Sequence, residues 1–420
     1  MSNIKAPALS YRLLSLALFF VWLLHAVIQS VKHKDISYLL QRLGISKNKI
    51  LPNAIWVHAA SVGEVELVKP LISVLSESHS IVLTTFTPTG NQHAKRIMPP
   101  EVQVTALPID FMPICLFFIL RNQFKLGLVA ETELWPETLY SFKKLNMPLI
   151  QINARLSDKT LNNPYWLKQI LSRTLGYFDA HLTRSEADVV TLKSMGVYAS
   201  RIKICGNLKY ANFEDIENQD NTNLIDRPYL LFASTHDIEE KIFADVVQSL
   251  ASDETISDPA KRLMVIAPRH PHRASDIKIS LQSLGLNLSQ RSKGEVISDQ
   301  TQIYLADTLG ELKPLMAHAR LVIMGGSFTN VGGHNILEAA QLGKAVITGP
   351  SDDNIKQDIS LLKQHDAIIQ VDNQSELLQQ LKELLTHPER IDELAANARI
   401  VISNQQHVLK DYLSTINTSL

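Results

Sequence analysis

Short apolar runs that alternate with helix-length segments most limit how this chain can fold. Apolar runs of this kind are typical of parallel strands that are covered by helices on both faces. Six such strands are predicted in the first half, at 55–59, 81–85, 102–107, 126–130, 149–152 and 202–205. Helices are predicted between them, at 64–75, 89–97, 135–145, 165–175 and 185–195.

The same alternation begins again after a polar segment, 213–227, which is rich in Asn and Asp and is the best linker candidate. Strands are predicted at 229–233, 263–267, 302–305, 321–324, 345–348 and 367–371, and residues 376–413 have a helical pattern. Because 420 residues exceed what one core usually holds, we predict two doubly wound α/β domains. The predicted divisions are an N-terminal anchor at 1–35, domains at 36–212 and 228–420, and the linker at 213–227.

The N-terminal segment 13–31 carries no charged residue. Its nineteen residues would form a helix of roughly 28 Å, close to the thickness of a bilayer core. Lysines and arginines flank it on both sides and are more numerous after it, which favours a cytoplasmic body. We predict a membrane anchor that spans the bilayer or lies in its interface. A cleaved signal peptide and a buried core helix are the alternatives.

Composition excludes several classes of protein. Lys and Arg number 41 against 42 Asp and Glu, a balance that does not indicate a nucleic-acid binder. The two cysteines, Cys115 and Cys205, lie in apolar runs and predict neither a disulfide framework nor a cysteine metal site. No HExxH, Walker A or GxGxxG motif occurs, and no Asp-x-Asp follows a strand. We therefore expect chemistry without a metal, as a nucleotide with a single phosphate would permit.

Ligands bind outside the carboxyl ends of the strands in such sheets, so the residues that follow each strand are candidates for the site. After the first strand, Ser61 can cap a helix and Glu64 falls in its first turn. Glu64 either favours the helix dipole or removes a proton from an acceptor hydroxyl.

Two carboxylates and an indole follow the strand at 126–130, in the order Glu131, Glu133, Trp135. Acidic residues at the end of a buried strand need solvent or a partner. Arg155, which follows a later strand, can pair with either carboxylate or meet an anionic substrate.

In the second half, Pro268 and Arg269 follow a strand, where a guanidinium suits a phosphate or carboxylate, or simply lies on the surface. The run Gly325-Gly326-Ser327 follows another strand, and the run 332–338 (GGHNILE) opens a helix. Glycines allow a backbone to approach a phosphate closely, and a helix start offers free N–H groups.

The segments IWVHAASVGEV, ETELWP, NARLS, GNLKY, PRH, GGSF and GGHNILEAA, in this order, resemble the Kdo (3-deoxy-D-manno-octulosonic acid) transferases of lipopolysaccharide synthesis. The resemblance covers about residues 36 to 400. It implies the GT-B fold, in which two Rossmann-like domains face a central cleft. It also implies metal-independent, inverting transfer of Kdo from CMP-Kdo to the lipid A precursor lipid IVA, with no cofactor, at the cytoplasmic side of the inner membrane.

The resemblance also implies roles for particular residues. Glu64 matches the family's general base, and Glu133 matches a second essential acidic position. The residues implied to contact CMP are Pro268, Arg269, Leu309, Gly310, Glu311, Asn335, Ile336, Leu337 and Glu338. One departure is Glu137, because the family commonly has Asn there, which puts any acceptor contact at this position in doubt.

Two other functions are compatible with these patterns. One is a different nucleotide-sugar transferase of the same fold that acts on a lipid. The other is a membrane-bound sugar-binding protein without activity, although such a protein needs neither Glu64 nor Glu133.

Overall fold

The computed structural model describes residues 5–32, 35–45, 51–156, 158–213, 222–251, 263–405 and 407–420. The chain divides into two compact units: the first is Met1–Asn212 with Gln405–Leu420, and the second is Phe213–Asn404. Most of the predicted linker, 214–221, lies outside the described residues.

The first unit contains a parallel sheet with, among the described residues, seven strands in the order β3-β2-β1-β4-β5-β6-β7. The strands are β1 Ile55–His58, β2 Ile81–Thr85, β3 Gln103–Ala106, β4 Leu126–Ala130, β5 Leu149–Ala154, β6 Ala180–Thr183 and β7 Ile202–Ile204. The helices are α1 Leu9–Lys32, α2 Ile36–Arg42, α3 Val62–Ser76, α4 Pro88–Ile97, α5 Met112–Asn122, α6 Pro136–Lys144, α7 Asp158–Leu161, α8 Tyr165–Leu175 and α9 Glu186–Ser194.

The second unit repeats this plan with the strand order β10-β11-β9-β8-β12-β13-β14. Its strands are β8 Leu230–Thr235, β9 Met264–Pro268, β10 Leu288–Gln290, β11 Ile303–Leu305, β12 Leu321–Met324, β13 Ala345–Thr348 and β14 Ile369–Gln370. Its helices are α10 Glu239–Ala251, α11 Ala274–Ser283, α12 Leu312–His318, α13 Leu337–Gln341, α14 Lys356–Gln364, α15 Gln374–Thr386 and α16 Pro388–Ser403. The prediction of two parallel-sheet α/β domains is confirmed.

The last helix, α17 (His407–Asn417), belongs to the first unit. Its buried side chains Val408, Leu409, Tyr412 and Ile416 lie in the same core as the apolar residues of α3 and β1. Burial of this apolar face holds the chain end on the first sheet. The predicted second domain, 228–420, therefore runs past the end of the second unit by residues 405–420.

Each sheet has one place where the strand order reverses. β1 lies between β2 and β4, and β8 lies between β9 and β12. The connections from β1 and β4 leave the first sheet in opposite directions, as do those from β8 and β12 in the second, and this opens a crevice at the carboxyl ends of the strands. The residues that follow these four strands therefore form the candidate sites of the two units.

Helix α1 lies along the first unit with a polar face turned inward. Tyr11 donates to Asp110 Oδ2 at 2.6 Å, Arg12 donates to Glu137 Oε1 at 3.0 Å, and Ser15 donates to the Asp110 carbonyl at 2.8 Å. The opposite face is apolar and exposed, with Leu13, Phe20, Leu24, Ile28 and Val31 each more than half accessible. Among the described residues, α1 is the one helix long and apolar enough to cross a bilayer by length and composition.

Candidate active site

The turn between β1 and α3 holds Glu64 against the sheet edge. Ser61 caps α3 by accepting the Glu64 N–H at 3.4 Å, and Glu64 Oε2 accepts the Ala60 N–H at 2.6 Å. This exchange resembles a capping box, in which a serine and a glutamate satisfy N–H groups at a helix start. It orients the carboxylate over the strand end, at the place where the strand order reverses.

The environment of Glu64 makes it a base near neutral pH. Burial and, to a smaller extent, the nearby charge of Glu133 raise its pKa from 4.5 to about 7, against the opposing hydrogen bond from Ala60. A carboxylate with a pKa close to the working pH is half ionised and binds a proton strongly enough to act as a general base.

Glu133 is held in its ionised form by two rings. Trp135 Nε1 donates to Glu133 Oε2 at 3.0 Å, and His58 Nε2 lies 3.6 Å from the same oxygen. Burial opposes ionisation of Glu133, but the contacts with His58 and Trp135 outweigh it, and the pKa of Glu133 is lowered. The structure thus places the two predicted catalytic carboxylates close together, with Glu133 anionic and Glu64 the stronger base.

Arg155 pairs with Glu131. Its Nη2 and Nε lie 2.7 and 2.8 Å from Glu131 Oε2, and Asn153 Nδ2 donates to Glu131 Oε1 at 3.3 Å. Both carboxylate oxygens of Glu131 are thereby engaged, whereas the Glu133 carboxylate lies against the rings of His58 and Trp135. The alternatives left open for Arg155 are resolved in favour of a pair with Glu131.

Glu137 is buried at the start of α6. Its carboxylate binds Arg12 of α1, while its backbone N–H donates to Asp110 Oδ2 at 3.2 Å. Glu137 therefore holds α1 against α6. Its side chain is only 1% exposed and cannot contact an acceptor.

In the second unit, the predicted CMP residues lie on three loops. Pro268 ends β9 and is buried, whereas the Arg269 side chain is exposed and its backbone N–H donates to the Thr235 carbonyl at 3.0 Å. On the loop before α12, Leu309 is 84% exposed, and the Glu311 carboxylate accepts from Arg291 at 2.7 and 2.8 Å. This ion pair lowers the pKa of Glu311 and occupies its carboxylate.

The third loop precedes α13. Asn335 Oδ1 accepts the Leu337 N–H at 3.1 Å, and Asn335 Nδ2 donates to Glu338 Oε1 at 3.1 Å. Ile336 and Leu337 are buried, so Asn335 and Glu338 present the exposed polar groups of this segment. Both can exchange hydrogen bonds with ribose hydroxyls.

The glycine loop after β12 does not offer the free N–H groups that its sequence predicts. Gly326 N and Phe328 N donate to the two oxygens of Glu239 at 2.8 and 2.9 Å, and His236 N donates to the same carboxylate at 2.8 Å. Glu239 is fully buried. The expected phosphate cradle is therefore filled by a carboxylate from α10.

Gly325 serves the packing of the strands. A Cβ at this position would lie 2.6 Å from the Ser234 carbonyl oxygen, closer than carbon and oxygen can approach. Glycine is thus required where the end of β12 passes β8, independently of any ligand.

Sequence reasoning missed the histidines of the second unit. His236 Nε2 lies 2.7 Å from His334 Nε2, and the His236 ring is 5.7 Å from the His270 ring. The signal was available, since His236 directly follows β8 just as His58 ends β1. Among the residues that the structure describes, no group of three or more His, Cys, Asp or Glu is placed to hold a metal ion. Metal independence stays a prediction.

Comparison with known proteins gives consistent matches. The family model described as 3-deoxy-D-manno-octulosonic-acid transferase (kdotransferase) matches residues 37–212. The chain is 30% identical to the 3-deoxy-D-manno-octulosonic acid transferase of Haemophilus influenzae, over 86% of each chain. It is 33% identical to the Rickettsia felis transferase of the same name, over 87% of this chain and 79% of the relative.

A structural neighbour supports the fold. The UDP-GlcNAc 2-epimerase of Neisseria meningitidis superposes with a TM-score of 0.61 over 87% of this chain and all of its own length. At 13% identity, this likeness concerns the fold alone.

Proposed function

Because this chain belongs to the 3-deoxy-D-manno-octulosonic acid (Kdo) transferase family, we propose that it transfers Kdo from CMP-Kdo to lipid IVA with inversion at the anomeric carbon. The family consists of glycosyltransferases that act in lipopolysaccharide synthesis, and this chain is one of them. The donor, the acceptor and the catalytic roles below are the proposal.

The observation that carries the mechanism is the pKa of Glu64, which burial and Glu133 raise to about 7. Glu64 takes the proton of an acceptor hydroxyl as the hydroxyl oxygen attacks the anomeric carbon of Kdo. The bond from that carbon to the phosphate oxygen breaks, and CMP leaves with the electron pair. Inversion requires the base and the leaving group to lie on opposite sides of the sugar.

Glu133 acts through its charge. The contacts with His58 and Trp135 keep it ionised, and its negative charge raises the proton affinity of Glu64. Burial alone raises the pKa of a glutamate, and a neighbouring negative charge raises that pKa further because it repels the ionised form. Glu133 thus strengthens the base.

The donor is assigned to the loops of the second unit: Pro268 and Arg269, Leu309 to Glu311, and Asn335 to Glu338. Arg269 is suited to the phosphate, since a guanidinium offsets the charge that develops as CMP leaves. Asn335 and Glu338 are suited to the ribose. With one phosphate and a good leaving group, the reaction needs no metal.

Helix α1 is assigned to the cytoplasmic face of the inner membrane, where its exposed apolar face would enter the lipid. An interfacial position is favoured over a spanning one, because spanning would separate Tyr11, Arg12 and Ser15 from their partners on Asp110 and Glu137. A charged and hydrogen-bonded face at the inner side suits a helix lying in the plane of the interface. Extraction of membranes with alkaline carbonate tests this: release of intact protein supports the interfacial position, and retention supports a spanning helix.

The test of the function pairs a substitution with product analysis. Glu64→Gln is expected to lower turnover by at least about 100-fold, the contribution typical of a general base. Glu66→Gln, on the same helix and bonded to His93 at 2.6 Å, is the control and should keep near-normal turnover. The assay supplies lipid IVA with CMP-Kdo or with another nucleotide sugar and weighs the product by mass spectrometry. Near-normal turnover of the Glu64 variant, or transfer only from another donor, would reject the proposal.

A further inference from the structure

The place in the second sheet where the strand order reverses is occupied by a pair of histidines. His236 follows β8, and His334 belongs to the loop after β12, so the pair lies at the carboxyl ends of the two strands that flank the reversal. Their Nε2 atoms are 2.7 Å apart and their rings are nearly parallel, with centroids 5.0 Å apart. At this distance one Nε2 carries the proton and the other accepts it.

Three backbone N–H groups near the pair are already occupied by the Glu239 carboxylate. That carboxylate accepts from the N–H groups of His236, Gly326 and Phe328. In comparable folds these N–H groups would cradle an anion. These three N–H groups are therefore occupied, which leaves the side chains of the pair as candidates to bind an anionic ligand at this edge.

The side chains around the pair include charges of both signs. The loop after β9 contributes Arg269, His270 and His272, and the His270 ring lies 5.7 Å from His236 and 5.6 Å from His272. Arg273, at the start of α11, is neutralised by Asp237 and Glu240 at 2.9 and 3.0 Å. Glu239, bonded to three N–H groups, is the one carboxylate in direct contact with the backbone of the pair among the described residues.

These surroundings keep the empty pair neutral. Burial, together with the smaller effects of His236, Arg269 and His270, lowers the pKa of His334 to about 4. Burial also lowers the pKa of His236, against the opposing charges of Glu239 and Glu240. A second proton on the pair therefore requires a new negative charge beside it.

We propose that His236 and His334 bind an anionic group of the donor sugar nucleotide and take up one proton when they do so. The proposal rests on the proposed function and names the residues that recognise the donor's charge. The anion is the phosphate or the carboxylate of the eight-carbon acid sugar. The proton comes from solvent and adds to the Nε2 that accepts the hydrogen bond within the pair. Each ring then carries an N–H on Nε2. The two rings separate, and both N–H groups donate to the anion.

Proton uptake is measured directly on the unmodified protein. Cytidine, CMP and CMP-Kdo are each titrated calorimetrically at about pH 7 in buffers of different ionisation enthalpy, and the slope of the observed enthalpy gives the protons bound. We expect about one proton with CMP-Kdo and none with cytidine. The phosphate monoester of free CMP itself titrates at about pH 6, so uptake with CMP identifies the phosphate as the anion only if it is lost in the histidine variants. Uptake with CMP-Kdo alone identifies the carboxylate.

Variants test the assignment to this pair. His236→Asn and His334→Asn should each abolish the proton uptake and raise the KM for CMP-Kdo by about 10-fold to 100-fold, as loss of a charged hydrogen bond does. The wild-type KM should rise with pH, by up to about tenfold per pH unit, and this dependence should flatten in the variants. His365→Asn, exposed at the end of α14, is the control and should behave as the wild type.

The outcomes separate this proposal from the function on which it rests. Binding of CMP-Kdo without proton uptake, or unchanged uptake in both variants, overturns the role of the pair and leaves the donor assignment standing. A wild-type protein that binds neither CMP nor CMP-Kdo overturns both.

Discussion

Glu64 is held by the fold in a position where its ionised form is poorly hydrated and faces another anion. Replacing it with Gln keeps the shape of the side chain and an oxygen that can accept the Ala60 N–H, but removes the charge. We therefore expect Glu64→Gln to stabilise the first unit at neutral and alkaline pH while it lowers turnover by at least about 100-fold. Opposite effects on stability and activity are typical of residues held in a strained or charged environment for catalysis.

The size of the effect follows from the pKa. The pKa of Glu64 rises from 4.5 in an unfolded chain to about 7 in the structure. At about 1.4 kcal/mol for each pH unit between the two values, the ionised carboxylate destabilises the folded protein by about 3 kcal/mol. This cost is absent below pH 4.5, grows as the pH rises from 4.5 to 7, and is constant above.

Tryptophan fluorescence reports the unfolding of the first unit, because all four tryptophans lie in it: Trp22, Trp56, Trp135 and Trp166. Urea unfolding of wild type and variant would be compared at about pH 4.5 and about pH 8.5. We expect the variant to be more stable by about 3 kcal/mol at the higher pH and by less than about 0.5 kcal/mol at the lower. Glu66→Gln, with its half-exposed side chain, should show no such pH dependence.

A difference in stability that is the same at both pH values would refute this reasoning, because it would mean that the proton affinity of Glu64 is ordinary. A wild type more stable than the variant at high pH would refute it more strongly. In that case the carboxylate would be stabilised by the fold, and Glu64 would be too weak a base for its proposed role.

Three further predictions follow from single contacts. Glu133→Gln removes the charge that raises the Glu64 pKa, so the acid limb of the kcat profile, expected near pH 7, should move to lower pH; a limb that stays in place would contradict the coupling. Ile238 is β-branched, is 66% exposed and has a φ of 77°, which is strained for such a residue. Ile238→Gly should therefore stabilise the second unit by about 1 kcal/mol and raise the midpoint of its thermal unfolding in calorimetry. A lower midpoint would show that no strain is relieved. Asp110→Asn weakens the bond from Tyr11 and should increase hydrogen exchange in α1, whereas unchanged exchange would mean that this bond does not help to hold the helix.

Both sheets could be predicted from the sequence because parallel strands covered on both faces need uninterrupted apolar runs. β6 and β10 could not, since polar residues interrupt their short sequences, AHLT and LSQ. Polar groups of both strands find partners elsewhere in the fold: His181 Nδ1 lies 2.6 Å from Gln151 Oε1, and Ser289 donates to the Val296 carbonyl at 3.0 Å. Burial of a polar side chain depends on partners that a local pattern does not contain.

The position of α17 was also decided by tertiary packing. Its sequence predicts a helix, but an apolar helix face can be buried on any open apolar surface. Here the open surface belongs to the first unit, where Tyr412 also donates to the Gly206 carbonyl at 3.0 Å.

The sequence by itself determined the fold class, the family and the loops in which the candidate residues lie, because these depend on local periodicity and on the order of motifs. Only the tertiary structure decided which charges are neutralised. Arg155 pairs with Glu131 and leaves Glu133 beside Glu64, Arg12 pairs with Glu137, and Glu239 takes the N–H groups of the glycine loop. Each of these choices joins segments from 24 to 125 positions apart in the chain. The energy of a charge depends on its distance in space from other charges and on its access to water, and the spacing of residues along the sequence determines neither.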